Sequence, residues 1–147
     1  MVRNNKETGI TQTLAAFASN VNYEDLSPDV VDWAKYLCLD FAGVTLNGST
    51  TDSAKTVVKA LEDVGRSGPS AVIGTDKRVL PEYAALANGT AFHSIEMDDI
   101  NNEASLHPGV VAFPTALAMA DITQVVSPIQ IFQPKKTPYT SLAGFCL

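Results

Sequence analysis

Both histidines of this sequence, His93 and His107, fall in one short stretch together with four carboxylates, Glu96, Asp98, Asp99 and Glu103. No Lys or Arg occurs between Val79 and Pro134, so these acids have no cation beside them in sequence. Such groups must find partners from elsewhere in the fold or stay in water. Three readings are open. An imidazole among carboxylates suits general acid–base chemistry, with His107 moving a proton and the acids orienting it. Asp98, Asp99 and Glu103 could instead hold a divalent ion, since an all-oxygen set suits magnesium. The third reading is a solvated connection between helices, where acids and asparagines are common.

The flanking sequence weighs against a plain loop. A helix opened by Pro81-Glu82 leads into the acids, with Tyr83, Leu86, Ala87, Thr90 and Met97 near one face. Its spacing puts His93 one turn before Glu96, so the two can meet on the helix surface. Asn101-Asn102 is turn material, and His107-Pro108-Gly109 breaks the chain again before the apolar run Val110 to Ala120. That run is expected to be a helix, kinked or restarted at Pro114. Polar groups held at the mouth of buried helices are the usual way a site is built.

The remaining elements are legible from period and capping. Ile10, Leu14, Phe17, Ala18 and Val21 recur on one helical face. Ser27 as cap, Pro28 in the first turn and Asp29 at the positive dipole end predict a second helix running to Asn47-Gly48. It is apolar on most of its circumference, which predicts a central core helix. Asp40, inside it, is expected to be hydrogen-bonded at a helix seam, and Cys38 to behave as a small apolar residue. A third helix is expected from Thr51 or Asp52 to Val64, with Gly65 to Pro69 ending it. Two very short strands around Ala71 to Leu80 are expected to form a tight hairpin. The fold class is therefore all-α, mainly helical, with at most that hairpin. Residues 1–9 are expected to be disordered, 10–121 to form one helical unit, and 122–147 to be an irregular tail rich in proline.

At 147 residues, 46% hydrophobic and 18% charged, the chain fits one soluble globular domain. No apolar run is long enough for a membrane span, and the N-terminus lacks the apolar core of a secretory signal. Cys38 and Cys146 do not form a disulfide framework, so a reducing, cytoplasmic setting is expected. A net charge of −6 excludes a phosphate-neutralising surface, and with it nucleic acid as a partner.

Several of these pieces occur together, in order. Asn88-Gly89-Thr90-Ala91, His93, Glu96-Met97-Asp98-Asp99, Leu106-His107-Pro108-Gly109-Val110-Val111 and the run from Pro114 resemble the N-terminal signature of the MmgE/PrpD family. Leu39-Asp40-Phe41-Ala42-Gly43 and Ala71-Val72-Ile73-Gly74 agree with it. The family includes 2-methylcitrate dehydratases, cis-aconitate decarboxylases and epimerases, and the acidic spacing is similar to the fungal cis-aconitate decarboxylase branch. The Asp-Asp and Glu spacing is also similar to the metal motif of helical isoprenoid synthases, but no second metal motif or basic cluster follows.

The MmgE/PrpD resemblance implies a helical domain completed by a smaller α/β domain, usually in a homodimer, with no metal or organic cofactor. It implies proton transfer next to a carboxylate of a small di- or tricarboxylic acid. His107 and Glu96 match active-site positions and are the expected catalytic residues, while Asp98, Asp99 and His93 are expected to contact substrate. Relatives often carry Asp at the position of Glu96, and some carry Thr at the position of Ile100. Their further catalytic histidine and lysines lie beyond the point where this sequence stops. The chain is thus expected to be a truncated, inactive form of such a lyase, or a non-catalytic remnant that binds a partner through its helical surface.

Overall fold

The computed structural model describes residues 9–64 and 67–123. Five α-helices and one small hairpin follow each other in the order α1 (Ile10–Asn20), α2 (Pro28–Gly48), α3 (Asp52–Val64), β1 (Ser67–Ala71), β2 (Arg78–Val79), α4 (Pro81–His93) and α5 (Pro108–Thr123). A short 3-10 turn, Tyr23–Asp25, joins α1 to α2. The all-α class with one hairpin is what the structure has. Most of the expected tail, and the expected N-terminal segment apart from Gly9, lie outside the described residues. No helix among the described residues is long and apolar enough to cross a membrane.

The local signals act as their chemistry dictates. Ser27 accepts the amide of Val30 through its side chain, and Pro28 occupies the first turn of α2. The strands pair antiparallel, Ala71 with Arg78, and an irregularity between Ser67 and Ser70 accommodates Gly68-Pro69. β1 therefore starts at Ser67, earlier than the sequence suggests.

The central helix is α4, not α2. Ala84, Ala87, Asn88, Gly89, Ala91 and Phe92 of α4 are all buried, because its small side chains let neighbours approach from several sides. On one side Leu61 of α3, Val72 and Val79 of the hairpin and Ala118 of α5 close over Ala84 and Ala87. On the other, Phe92 meets Phe41 of α2 edge-on at 5.1 Å, and Phe41 stacks on Phe113 of α5 at 5.7 Å. Burying each such ring contributes about 1.5–3 kcal/mol. Only the second half of α2 takes part, through Phe41, Val44, Thr45 and Gly48. Its first half leaves Val30, Trp33, Tyr36 and Leu39 exposed, Trp33 at 68%. The apolar circumference of α2 is real, but no described element packs against that part of it.

Two polar devices set the position of α4. Asn88, buried on its inner face, donates to the carbonyl of Ala71 at 3.0 Å and accepts the amide of Ile73 at 2.9 Å. It thereby satisfies two backbone groups at the hairpin that would otherwise be buried unpaired. At the other end, Gly48 of α2 lies so close to α4 that a Cβ there would fall 1.9 Å from the carbonyl oxygen of Ala91. Only glycine allows that crossing.

Candidate active site

His93 is the last residue of α4, and His107 immediately precedes α5. The loop between them folds back so that Asp98 lies under both rings. Nδ1 of His93 is 3.0 Å from Oδ2 of Asp98, in hydrogen-bonding geometry. An ionised carboxylate only accepts, so His93 then carries its proton on Nδ1. Nδ1 of His107 lies 2.9 Å from the same oxygen. Its direction is wrong for a hydrogen bond, however, and this nitrogen is buried without a partner among the described residues. The two rings meet edge to face, with centroids 4.7 Å apart. The Asp98 side chain is 0% exposed, and its other oxygen, Oδ1, is likewise buried and unpaired.

The loop is built to hold this arrangement. Ser94 ends α4 by donating to the carbonyl of Ala91 at 2.8 Å and reaching that of Gly48 at 3.3 Å. Glu96 adopts φ +54, a left-handed conformation that reverses the chain. Asn101 and Leu106 exchange backbone hydrogen bonds of 2.7 and 3.2 Å, which closes the tip of the loop. Asp99 then clamps the start of α5. Both its oxygens accept the amide of Gly109, at 3.0 and 3.2 Å. A carboxylate here meets the positive end of the helix dipole.

The expected site residues thus separate into distinct positions. His93, Asp98 and His107 come together. Asp99 lies beside them but is engaged by the backbone of α5. Glu96 does not share a helix surface with His93, because α4 ends at His93. Its side chain is 76% exposed, and its carboxylate lies 3.8 Å from Nε2 of His93 on the open side. Glu103 is exposed in the turn at the loop tip. The all-oxygen set of Asp98, Asp99 and Glu103 is therefore not assembled. Among the described residues, the group that could share one ion is His93, Asp98 and His107, whose donor atoms lie within 4.8 Å of one another.

One contributor was hidden by its place in the sequence. Asp40 of α2 makes no hydrogen bond among the described residues, contrary to the seam role expected of it. Its carboxyl is held above the usual carboxylate range by burial, and further by the charges of Asp99 and Asp98. The one sequence signal was an acid inside an apolar helix. Cys38, nearby on the same helix, behaves as expected, a half-buried free thiol whose pKa is raised by burial.

The arrangement can keep an imidazole fixed against a buried carboxylate and leave part of each ring open to a reactant. Comparison with known proteins places it in context. The sequence model of the MmgE/PrpD N-terminal domain matches residues 12–132. The chain is 32% identical over 116 residues to the cis-aconitate decarboxylase-like protein oryM of Aspergillus oryzae, covering 79% of this chain and 24% of that protein. It is 30% identical over 118 residues to the cis-aconitate decarboxylase of Aspergillus terreus, covering 80% and 24%. It is also 30% identical over 113 residues to the cis-aconitate decarboxylase of Homo sapiens, covering 76% and 23%. The chain spans about a quarter of the length of these relatives. With residues 12–132, most of this chain, matching the family's N-terminal domain, the chain belongs to the MmgE/PrpD family.

Proposed function

We propose that this chain furnishes the imidazole–carboxylate half of a lyase site acting on a small di- or tricarboxylic acid of the cis-aconitate type. The observation that carries the reading is the convergence of His93 and His107 on the buried carboxylate of Asp98 in a chain of this family. Decarboxylation breaks a C–C bond, leaves the electron pair on carbon and requires a proton there. Dehydration starts instead by removing a proton next to a carboxylate. Either reaction needs a group that holds and moves a proton at a fixed place. His107, stationed at the entry to α5, is that group, and Glu96 on the open side is its acidic counterpart. Asp98 orients the imidazole of His93 through its hydrogen bond and lies against that of His107, and Asp99 holds α5, and so His107, in position.

A substrate with two or three carboxylates also needs cations. The segment carrying the site has none between Val79 and Pro134. In this reading they come from polypeptide outside that segment or from a second copy in a dimer. The chain alone then loses the electrostatic clamp, about 10²–10³-fold, and a proton-transfer partner, about 10²–10⁴-fold. Even without additivity, little turnover above background is left.

The test uses monodisperse protein assayed for carbon dioxide release and for hydration or dehydration of cis-aconitate. The chain is measured alone and fused ahead of the remaining part of the Aspergillus terreus decarboxylase. The chain alone is expected to be inert, and the fusion active, falling about 10²–10⁴-fold on His107→Ala. Full turnover by the chain alone, or a fusion indifferent to His107→Ala, refutes the assignment. The exposed apolar surface of α1 and the first half of α2 favours a second reading, a non-catalytic chain that binds a partner protein there. An inert fusion that still binds a full-length relative saturably would favour it.

A further inference from the structure

We propose that His93, Asp98 and His107 form a binding site for a divalent transition metal of the zinc class, overlapping the proton-transfer site. Three features of the cluster point to it. First, a single carboxylate oxygen lies close to two imidazole nitrogens, Nδ1 of His93 at 3.0 Å and Nδ1 of His107 at 2.9 Å. Metal–ligand bonds of about 2.0–2.1 Å put neighbouring donors about 2.9–3.4 Å apart, so both nitrogens already stand at the right distance from Oδ2. The set spans no more than 4.8 Å.

Second, Nδ1 of His107 is buried and makes no hydrogen bond among the described residues. The Asp98 side chain between the rings is wholly buried, with Oδ1 also unpaired. Unpaired buried donors and acceptors are costly, and an ion held by these groups would satisfy the nitrogen that the protein leaves alone. Third, two nitrogens and one oxygen favour zinc, cobalt or ferrous iron over magnesium or calcium. The imidazoles are open on one side, at 41% and 24% exposure, so water or a reactant can complete the coordination. Glu96, 3.8 Å from Nε2 of His93 and exposed, adds a negative charge on the open side of the cluster. A bound ion would take His107 out of free proton exchange, which makes the metal a competitor of the lyase chemistry.

Binding is read directly, without substrate, so an inert lyase assay leaves this proposal standing or falling by itself. Zinc chloride is titrated calorimetrically into the monodisperse full chain, and cobalt(II) absorption is recorded in parallel. The expected result is one zinc per chain with an affinity on the order of micromolar or tighter, and a cobalt spectrum without a thiolate charge-transfer band. His93→Gln and His107→Gln should each weaken binding by at least about 10-fold, since removing even an outer partner of a ligand costs that much. Asp98→Asn should do the same with unchanged far-UV circular dichroism. Should that variant fail to fold, the two histidine variants decide. Affinity unchanged in both histidine variants, a thiolate band, zinc binding weaker than millimolar or displacement of zinc by equimolar magnesium would each overturn the proposal.

Discussion

Replacing Gly109 by alanine should uncouple the site from α5, and the structure sets the size of the effect. A Cβ on Gly109 would fall 2.1 Å from Oδ1 of Asp99 and 2.9 Å from its Cγ, with the Phe113 ring at 3.2 Å. The carboxylate must swing away, so both contacts to the Gly109 amide, at 3.0 and 3.2 Å, are lost. A hydrogen bond to a charged group contributes about 1.5–3 kcal/mol, and the favourable dipole contact about 0.3–1 kcal/mol. Against this, alanine gains up to about 1 kcal/mol of helix propensity over glycine. The net expectation is a loss of about 1–3 kcal/mol. Gly43, in α2, is the control, because a Cβ there meets nothing within 4 Å. Gly43→Ala should be neutral or stabilising by up to about 1 kcal/mol. Urea unfolding followed by far-UV circular dichroism reads both, with an unchanged slope required for the comparison. The decisive measurement is the double variant. In an Asp99→Ala background, Gly109→Ala should no longer destabilise. An equal penalty with and without the Asp99 carboxylate would show that the glycine is needed for another reason.

Two further outcomes follow from buried polar groups. Asn88→Leu should lower stability by about 2–4 kcal/mol, because the Ile73 amide and the Ala71 carbonyl lose their shared partner, and a thermal unfolding series measures it. A loss below about 0.5 kcal/mol would mean that the hairpin readily finds other partners. For Asp40, the folded-state pKa lies above the ordinary aspartate value of 3.8, so the native state binds more protons than the unfolded one just above that pH. Stability therefore falls as pH rises through that window. Asp40→Asn should stabilise the chain at neutral pH and lose its advantage below about pH 3.8, and a variant equally stabilised at both ends would exclude this electrostatic cause.

Local chemistry was readable and tertiary choice was not. The start of α2 was plain because Ser27, Pro28 and Asp29 act within one turn of each other. The end of α4 was not, because the reversal at Glu96 uses a left-handed backbone without the glycine or asparagine that normally announces it. Hydrophobic content favoured α2 as the core helix, since apolar side chains register more strongly than small ones. Small ones decided the packing, and α4, with its alanines and glycine, became the centre. In the site, proximity in sequence drew attention to the stretch from His93 to His107, but it paired His93 with Glu96, whereas the carboxylate between the two rings is that of Asp98. It could not distinguish Asp98, which faces the rings, from its neighbour Asp99, which caps α5. Nor could it bring in Asp40, on α2, whose carboxyl feels the charges of Asp99 and Asp98.

The uneven burial of α2 has a consequence for its dynamics. The helix is continuous from Pro28 to Gly48, yet its first buried residue is Phe41, and α1 ahead of it buries none. Short helices held mainly by their own hydrogen bonds are marginal in water. Amides between Val30 and Leu39 should thus exchange with solvent through local openings, while those beyond Phe41 wait for the whole unit to open. One helix then carries two rates, with the step just before the aromatic contact. Whatever covers Trp33 and Tyr36 should shift that step toward the N-terminus, so slow exchange spreading along α2 becomes a residue-by-residue record of contact.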